Sequence, residues 1–317
     1  MTADVRGVTE APFRTIMGPL ITLWIVWGST YTGIALMVKS MPPLIGSGTR
    51  FIAASLVLGI IVLLVKGPRA FTVTWPQVRG AVFMGVTILG VAIGIVSLAV
   101  RYVPTGIAAL IVSVLPLWII LFRLRAGDRP SRLTLIGVGV GLIGLFLILI
   151  PGGTVPISGA SNTQVALWSV AIACGSFCWA FFSWRSTSYQ QPKNPLTTAV
   201  IQLATAGVFL TLVGVLIGET WNFDIITQQS WAGWAFLVFA SSAAYGAYVW
   251  LINNAPMSLV TTHAYVNPMV AVTLGFLILK EPISLDVVVG LSIVVGGVAL
   301  VVSGERRTRQ LLAEQPQ

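Results

Sequence analysis

Long apolar runs alternate with short polar or proline-bearing breaks along nearly the whole chain. Ten such runs are read, at 19–38, 43–65, 80–100, 105–122, 133–150, 165–184, 197–217, 231–252, 259–279 and 286–303. Each is about 18 to 23 residues long, enough for a helix to cross a hydrocarbon core of about 30 Å. The pattern predicts an all-α integral membrane protein of ten transmembrane helices. What remains is a tail at 1–18, a connecting loop at 151–164, a second tail at 304–317 and short turns, so no attached soluble domain is expected. After the first run the chain reads "ALMVKSMPP", without a small-residue cleavage site, and that run is expected to stay as a membrane helix.

Composition agrees with the pattern. Hydrophobic residues make up 56% of the 317 positions and charged residues 9%, with a mean hydropathy of +0.93. Soluble domains carry about 25% charged residues. The net charge of +9 would suit a nucleic-acid surface, but its distribution argues for topology instead. With the N-terminus inside, fourteen Lys and Arg residues are cytoplasmic, three (Lys39, Arg101 and Lys280) are outside, and Arg50 falls within a span. That split follows the positive-inside rule. Both termini are then cytoplasmic, the expected location is the inner membrane, and no nucleic acid is expected as a partner.

The punctuation of the chain repeats. Pro104 and Pro256 lie 152 residues apart, as do Pro116 and Pro268. One inserted residue later, Asp128 pairs with Glu281, Gly137 with Gly290 and Gly144 with Gly297, each 153 apart. The register predicts two five-helix units, 19–150 and 165–303. Five is odd, so the second unit enters the membrane from the opposite side, an inverted repeat of the kind that secondary transporters build around a midplane site.

These residues resemble a known family. "LWIVWGSTYTGIALMVKSMPPLIGSGTRF", with Trp27-Gly28-Ser29, Pro42-Pro43 and Arg50-Phe51, is similar to the first two helices of EamA-type members of the drug/metabolite transporter superfamily. "LAVRYVPTGIAALIVSVLPL" resembles that family's third and fourth helices, and "YVNPMVAVTLGFLILKEPISLDVVVGLSIVVGGVAL" its ninth and tenth. Asp128 stands where the family usually has Glu. The resemblance implies an exporter of small metabolites working by alternating access, with helices 1, 3, 4, 6, 8 and 9 around a central cavity. Its aromatic amino-acid branch is the best match for substrate.

Ionisable side chains at membrane depth are costly and therefore candidates for function. Only Arg50 and His263 lie well inside a predicted span. Arg50 either snorkels outward or bonds freed carbonyls, as a structural residue, or pairs with a substrate carboxylate. His263, with Asn267 four residues on and so on the same helix face, is either a packed polar residue or a proton-sensitive contact in the pathway. Aromatic stripes mark the rest of the expected pathway: Trp24, Trp27 and Tyr31 with Ser29 in helix 1, Ser241, Tyr245 and Tyr248 in helix 8, and Tyr265 in helix 9. Packing is the plain alternative for each. Pro116 and Pro268 each remove a helix hydrogen bond and are expected as hinges.

No Asp or Glu lies deep in a span, which argues against tight proton antiport and for neutral or zwitterionic substrates. Multidrug or other metabolite export is the near alternative, then proton coupling through His263, then a channel-like facilitator. An enzyme would need a nucleophile with its base, paired carboxylates or metal ligands at membrane depth, and none is read. No cofactor or metal is expected, Cys174 and Cys178 included. Gly137, Gly141 and Gly144 in helix 5, with Gly290 and Gly297 in helix 10, form small-residue seams for helix packing or for a homodimer. The expected partners are thus the bilayer, a small-molecule substrate and, through those seams, a second copy or none.

Overall fold

A computed structural model describes residues 13–127, 130–149, 159–255, 260, 263–281, 283 and 285–313. Asp128, Pro256 and the side chains of Pro116 and Tyr265 lie outside the described residues. The described residues are helical, without a strand.

The first helix, α1, runs from Phe13–Thr22 through a π turn at Leu23–Trp27 into Gly28–Met37. Next come α2 (Pro43–Lys66) and α3, which joins Trp75–Met84 to Ala92–Ala99 through a wide turn at Gly85–Val91. Helix α4 is in two pieces, Thr105–Val112 and Leu115–Arg125. Then follow α5 (Arg132–Leu149), α6 (Asn162–Arg185), α7 (Pro195–Leu216) and α8 (Gln228–Asn254). Helix α9 spans His263–Leu274 with a π turn at Gly275–Leu279, and α10 spans Leu285–Ala313. Among the described residues, α1 to α4 and α6 to α8 hold the seven stretches long and apolar enough to cross a membrane, while α5, α9 and α10 contain shorter apolar helices. Helix α1 begins before the expected span, and α10 continues helical ten residues past its expected end at 303.

Local chemistry sets these ends. Pro43 and Pro195 open α2 and α7 at positions that need no N–H donor. Ser161 and Gln164 form a reciprocal box at the start of α6, Gln164 N donating to Ser161 Oγ at 3.2 Å and Ser161 N to Gln164 Oε1 at 2.9 Å. Inside α4, Pro116 has no N–H for the Val112 carbonyl, and the helix turns at Ser113–Val114. Ser113 Oγ donates to the Leu110 carbonyl at 2.6 Å, and Ser176 Oγ from α6 reaches the freed Val112 carbonyl at 3.5 Å.

Two helix pairs bracket the rest. Helix α2 packs along α7, and α5 along α10. In the second pair a Cβ on Gly297 would lie 2.5 Å from Gly141 N, and one on Gly137 would lie 2.6 Å from Gly297 O, so the backbones touch there. The small-residue seam is thus filled within the chain. A homodimer through these same faces would first have to part α5 from α10.

Candidate functional site

Trp27 ends the π turn of α1 and stands at the middle of an aromatic group. Ring centroids of Tyr248 (α8), Trp179 (α6), His263 (α9) and Tyr245 (α8) lie 5.3, 5.6, 5.9 and 6.3 Å from it. One extra residue per turn widens a helix and re-aims its side chains, a local change often found at functional sites.

Beside this group is a cavity with about 660 Å³ of empty space, counting the part that is open to solvent. Among the described residues it is lined from α1, α3, α4, α6, α8 and α9, and none of its lining comes from α2, α5, α7 or α10. Its aromatic wall is Trp27, Tyr31, Trp179 and Tyr248, and its polar positions are Ser113, Ser176, His263 and Asn267. Among the described residues, no Asp, Glu, Lys or Arg lines it. The His263 ring nitrogen Nδ1 lies 2.7 Å from the Val260 carbonyl, which fixes the ring's orientation. With its amide nitrogen turned inward, Asn267 donates to the Trp24 carbonyl at 3.0 Å and the His263 carbonyl at 3.2 Å. The Asn267 oxygen is left as an acceptor at a wall where Pro268 interrupts the helix ladder. Such a wall can stack a flat ring and give a few hydrogen bonds to a polar head group. Among the described residues, no three His, Cys, Asp or Glu side chains gather as a metal site.

The expected pathway residues divide. Trp27, Tyr31, Tyr248, His263, Asn267 and Pro268 meet at the cavity. Trp24 packs instead in a small cluster with Leu20, Leu23 and Leu251. Ser29 Oγ is bound within its own helix, to the Val26 carbonyl at 2.8 Å. Tyr245 turns to α7, where its hydroxyl donates to Gln202 Oε1. Ser241 accepts from Arg50 Nη1 at 2.7 Å. Arg50 itself is 2% exposed and outside the cavity lining, with its guanidinium 4.2 Å from the Phe51 ring centroid. It neither snorkels nor bonds a carbonyl, because Ser241 and Phe51 hold it between α2 and α8.

Trp179, Ser176 and Ser113 line the cavity without having been singled out. Trp179 lies 152 residues after Trp27, the offset of the two proline pairs, so carrying that register back into α6 would have found it.

The profile of the EamA-like transporter family matches the chain over residues 17–150 and again over 166–303. A relative from Escherichia coli K12, named Uncharacterized inner membrane transporter YedA, is 34% identical over 299 residues, covering 92% of this chain and 91% of its own. Uncharacterized transporter YvbV of Bacillus subtilis 168 is 23% identical over 292 residues, 89% of this chain and 90% of its own. A crystal structure of a protein 18% identical superposes with a TM-score of 0.67 over 93% of this chain and 99% of its own, a likeness of fold alone. The chain belongs to the EamA-like transporter family.

Proposed function

We propose that this transporter crosses the inner membrane ten times, as two inverted five-helix repeats at 19–150 and 165–303, and exports small neutral or zwitterionic metabolites by alternating access. Aromatic and large neutral amino acids are its first substrates in this reading, and transport is not tightly coupled to protons. It is a carrier, not an enzyme.

The observation that carries the reading is the cavity lining: four aromatic side chains, a few neutral hydrogen-bonding groups and, among the described residues, no Asp, Glu, Lys or Arg. A net-charged solute would leave water there without a counter-charge, whereas a zwitterion brings its own. A carboxylate that holds cation and proton in turn is the usual basis of tight antiport, and the lining offers none. Two separate family matches support the duplication, and the positive-inside bias supports its inversion. The Escherichia coli relative, named an inner membrane transporter, supports the location.

His263 in the lining favours one second reading, proton coupling through its imidazole. Uptake of labelled phenylalanine into proteoliposomes, with and without an imposed pH gradient, separates the two. Saturable uptake that ignores the gradient is expected. Uptake that requires the gradient gives His263 the coupling role, and no uptake removes the amino-acid substrate.

A further inference from the structure

We propose that Glu281 is the latch of an outer gate: its carboxylate, closed on Thr105, ties the outer end of α9 to the outer end of α4 and must release before the cavity opens outward. The inference rests on the alternating-access reading above.

The bond is built with care. Thr105 N donates to Glu281 Oε1 at 3.0 Å and to Oε2 at 3.1 Å, and Thr105 Oγ1 donates to Oε2 at 2.8 Å. Thr105 is fully buried at the first turn of α4, where backbone N–H groups have no helical partner and a carboxylate is favoured. The π turn Gly275–Leu279 and a left-handed Lys280 (φ 58°) fold the chain so that Glu281 N donates to the Gly275 carbonyl at 3.1 Å and the carboxylate faces α4. Among the described residues Lys280 is the one non-glycine with positive φ, a conformation unfavourable for a side-chain-bearing residue. A Cβ on Gly275 would sit 2.5 Å from Glu281 Oε2 and 2.7 Å from Thr105 Oγ1, so a larger residue there would push directly on the bonded pair.

A second glutamate shows what is particular to this one. Glu219 repeats the construction: its N donates to the Gly214 carbonyl at 2.9 Å, and its carboxylate accepts from Leu44 N and from Ile45 N at 2.8 Å. Glu219 joins α7 to α2, neither of which lines the cavity among the described residues. Glu281 joins α9 to α4, which carry Asn267 and Pro268 on one side and Ala109, Val112 and Ser113 on the other. Ala109 is one turn below Thr105. Both helices also carry an internal proline, which removes a ladder hydrogen bond and eases bending, whereas α2 and α7 have proline only at their first turn. Glu219 is a fixed staple and Glu281 a releasable one.

The test uses the full chain in spheroplasts, with Cys174 and Cys178 replaced by Ala and Ser113→Cys as a reporter in the cavity wall. A membrane-impermeant thiol reagent is added from outside and the labelling rate is read. Glu281→Gln is expected to raise the rate roughly tenfold, as the loss of a charge-assisted bond shifts a two-state population. Thr105→Ala, which removes only the hydroxyl bond, is expected to raise it less. Glu219→Gln is expected to leave the rate unchanged while lowering the melting temperature. Unchanged labelling in Glu281→Gln, with a melting curve that shows it folded, overturns the latch. Should Glu281→Gln fail to fold, an unchanged rate in folded Thr105→Ala does the same. Labelling needs no transported solute, so it stands or falls apart from the phenylalanine assay.

Discussion

Arg50 carries a full charge into the membrane interior with one hydrogen-bond partner, Ser241, and the face of Phe51. Its Nε has no partner, and no carboxylate of the described residues pairs with it. A buried charge depends heavily on the few groups that solvate it. Ser241→Ala should therefore lower stability by roughly 1.5–3 kcal/mol, the range for a hydrogen bond to a charged group. Arg50→Met, which keeps an apolar stem and removes the charge, should destabilise less than Ser241→Ala or raise stability. Thermal unfolding of the two variants in one detergent gives the order, and the reverse order would refute this account of Arg50. The sequence showed that Arg50 was at membrane depth, but a lone cation does not reveal what solvates it. Stripes were legible only in part for a similar reason. Trp24, Trp27 and Tyr31 share a broad helix face, and the π turn at Leu23–Trp27 decides which of them reaches the cavity. His263 and Asn267, one regular turn apart, were placed together from spacing alone.

Helix existence followed from apolar run length, and helix interruptions did not. Proline marked the right neighbourhood in α4, yet the turn falls at Ser113–Val114, before Pro116, where the proline's missing donor frees the Val112 carbonyl, and in α9 the helix runs on through Pro268 to the π turn at Gly275–Leu279. The π turns in α1, α3 and α9 leave no comparable mark in the sequence. The weak points bear on turnover. Pro116→Ala and Pro268→Ala each restore a backbone donor and stiffen a cavity helix, so each should raise the melting temperature and slow transport by about tenfold, as rigidified sites commonly do. Transport at the parent rate in both variants would show that the breaks are packing features without a part in the cycle. The glycine seams were legible as close helix contacts, but whether they met within one chain or between two was not, since spacing names a face and not its partner.

Among the described residues, six helices line the cavity, and outside it stand the pairs α2 with α7 and α5 with α10. In the proposed cycle that division separates a part that binds and bends from a part that braces, and it falls evenly across the two matched halves of the chain. Two separate family matches fall on the two halves that the 152-residue register divides, whereas Trp179, at that same offset from Trp27, went unread until the cavity placed it. The central claim is a carrier whose aromatic cavity takes the substrate. Counterflow tests it most directly: proteoliposomes loaded with excess unlabelled phenylalanine, diluted into tracer, read for transient accumulation in the parent and in Trp27→Ala. The account predicts an overshoot in the parent that Trp27→Ala reduces by about tenfold at low tracer, as loss of a central aromatic contact would. Tracer that only equilibrates in the parent, or an undiminished overshoot in Trp27→Ala, would contradict it.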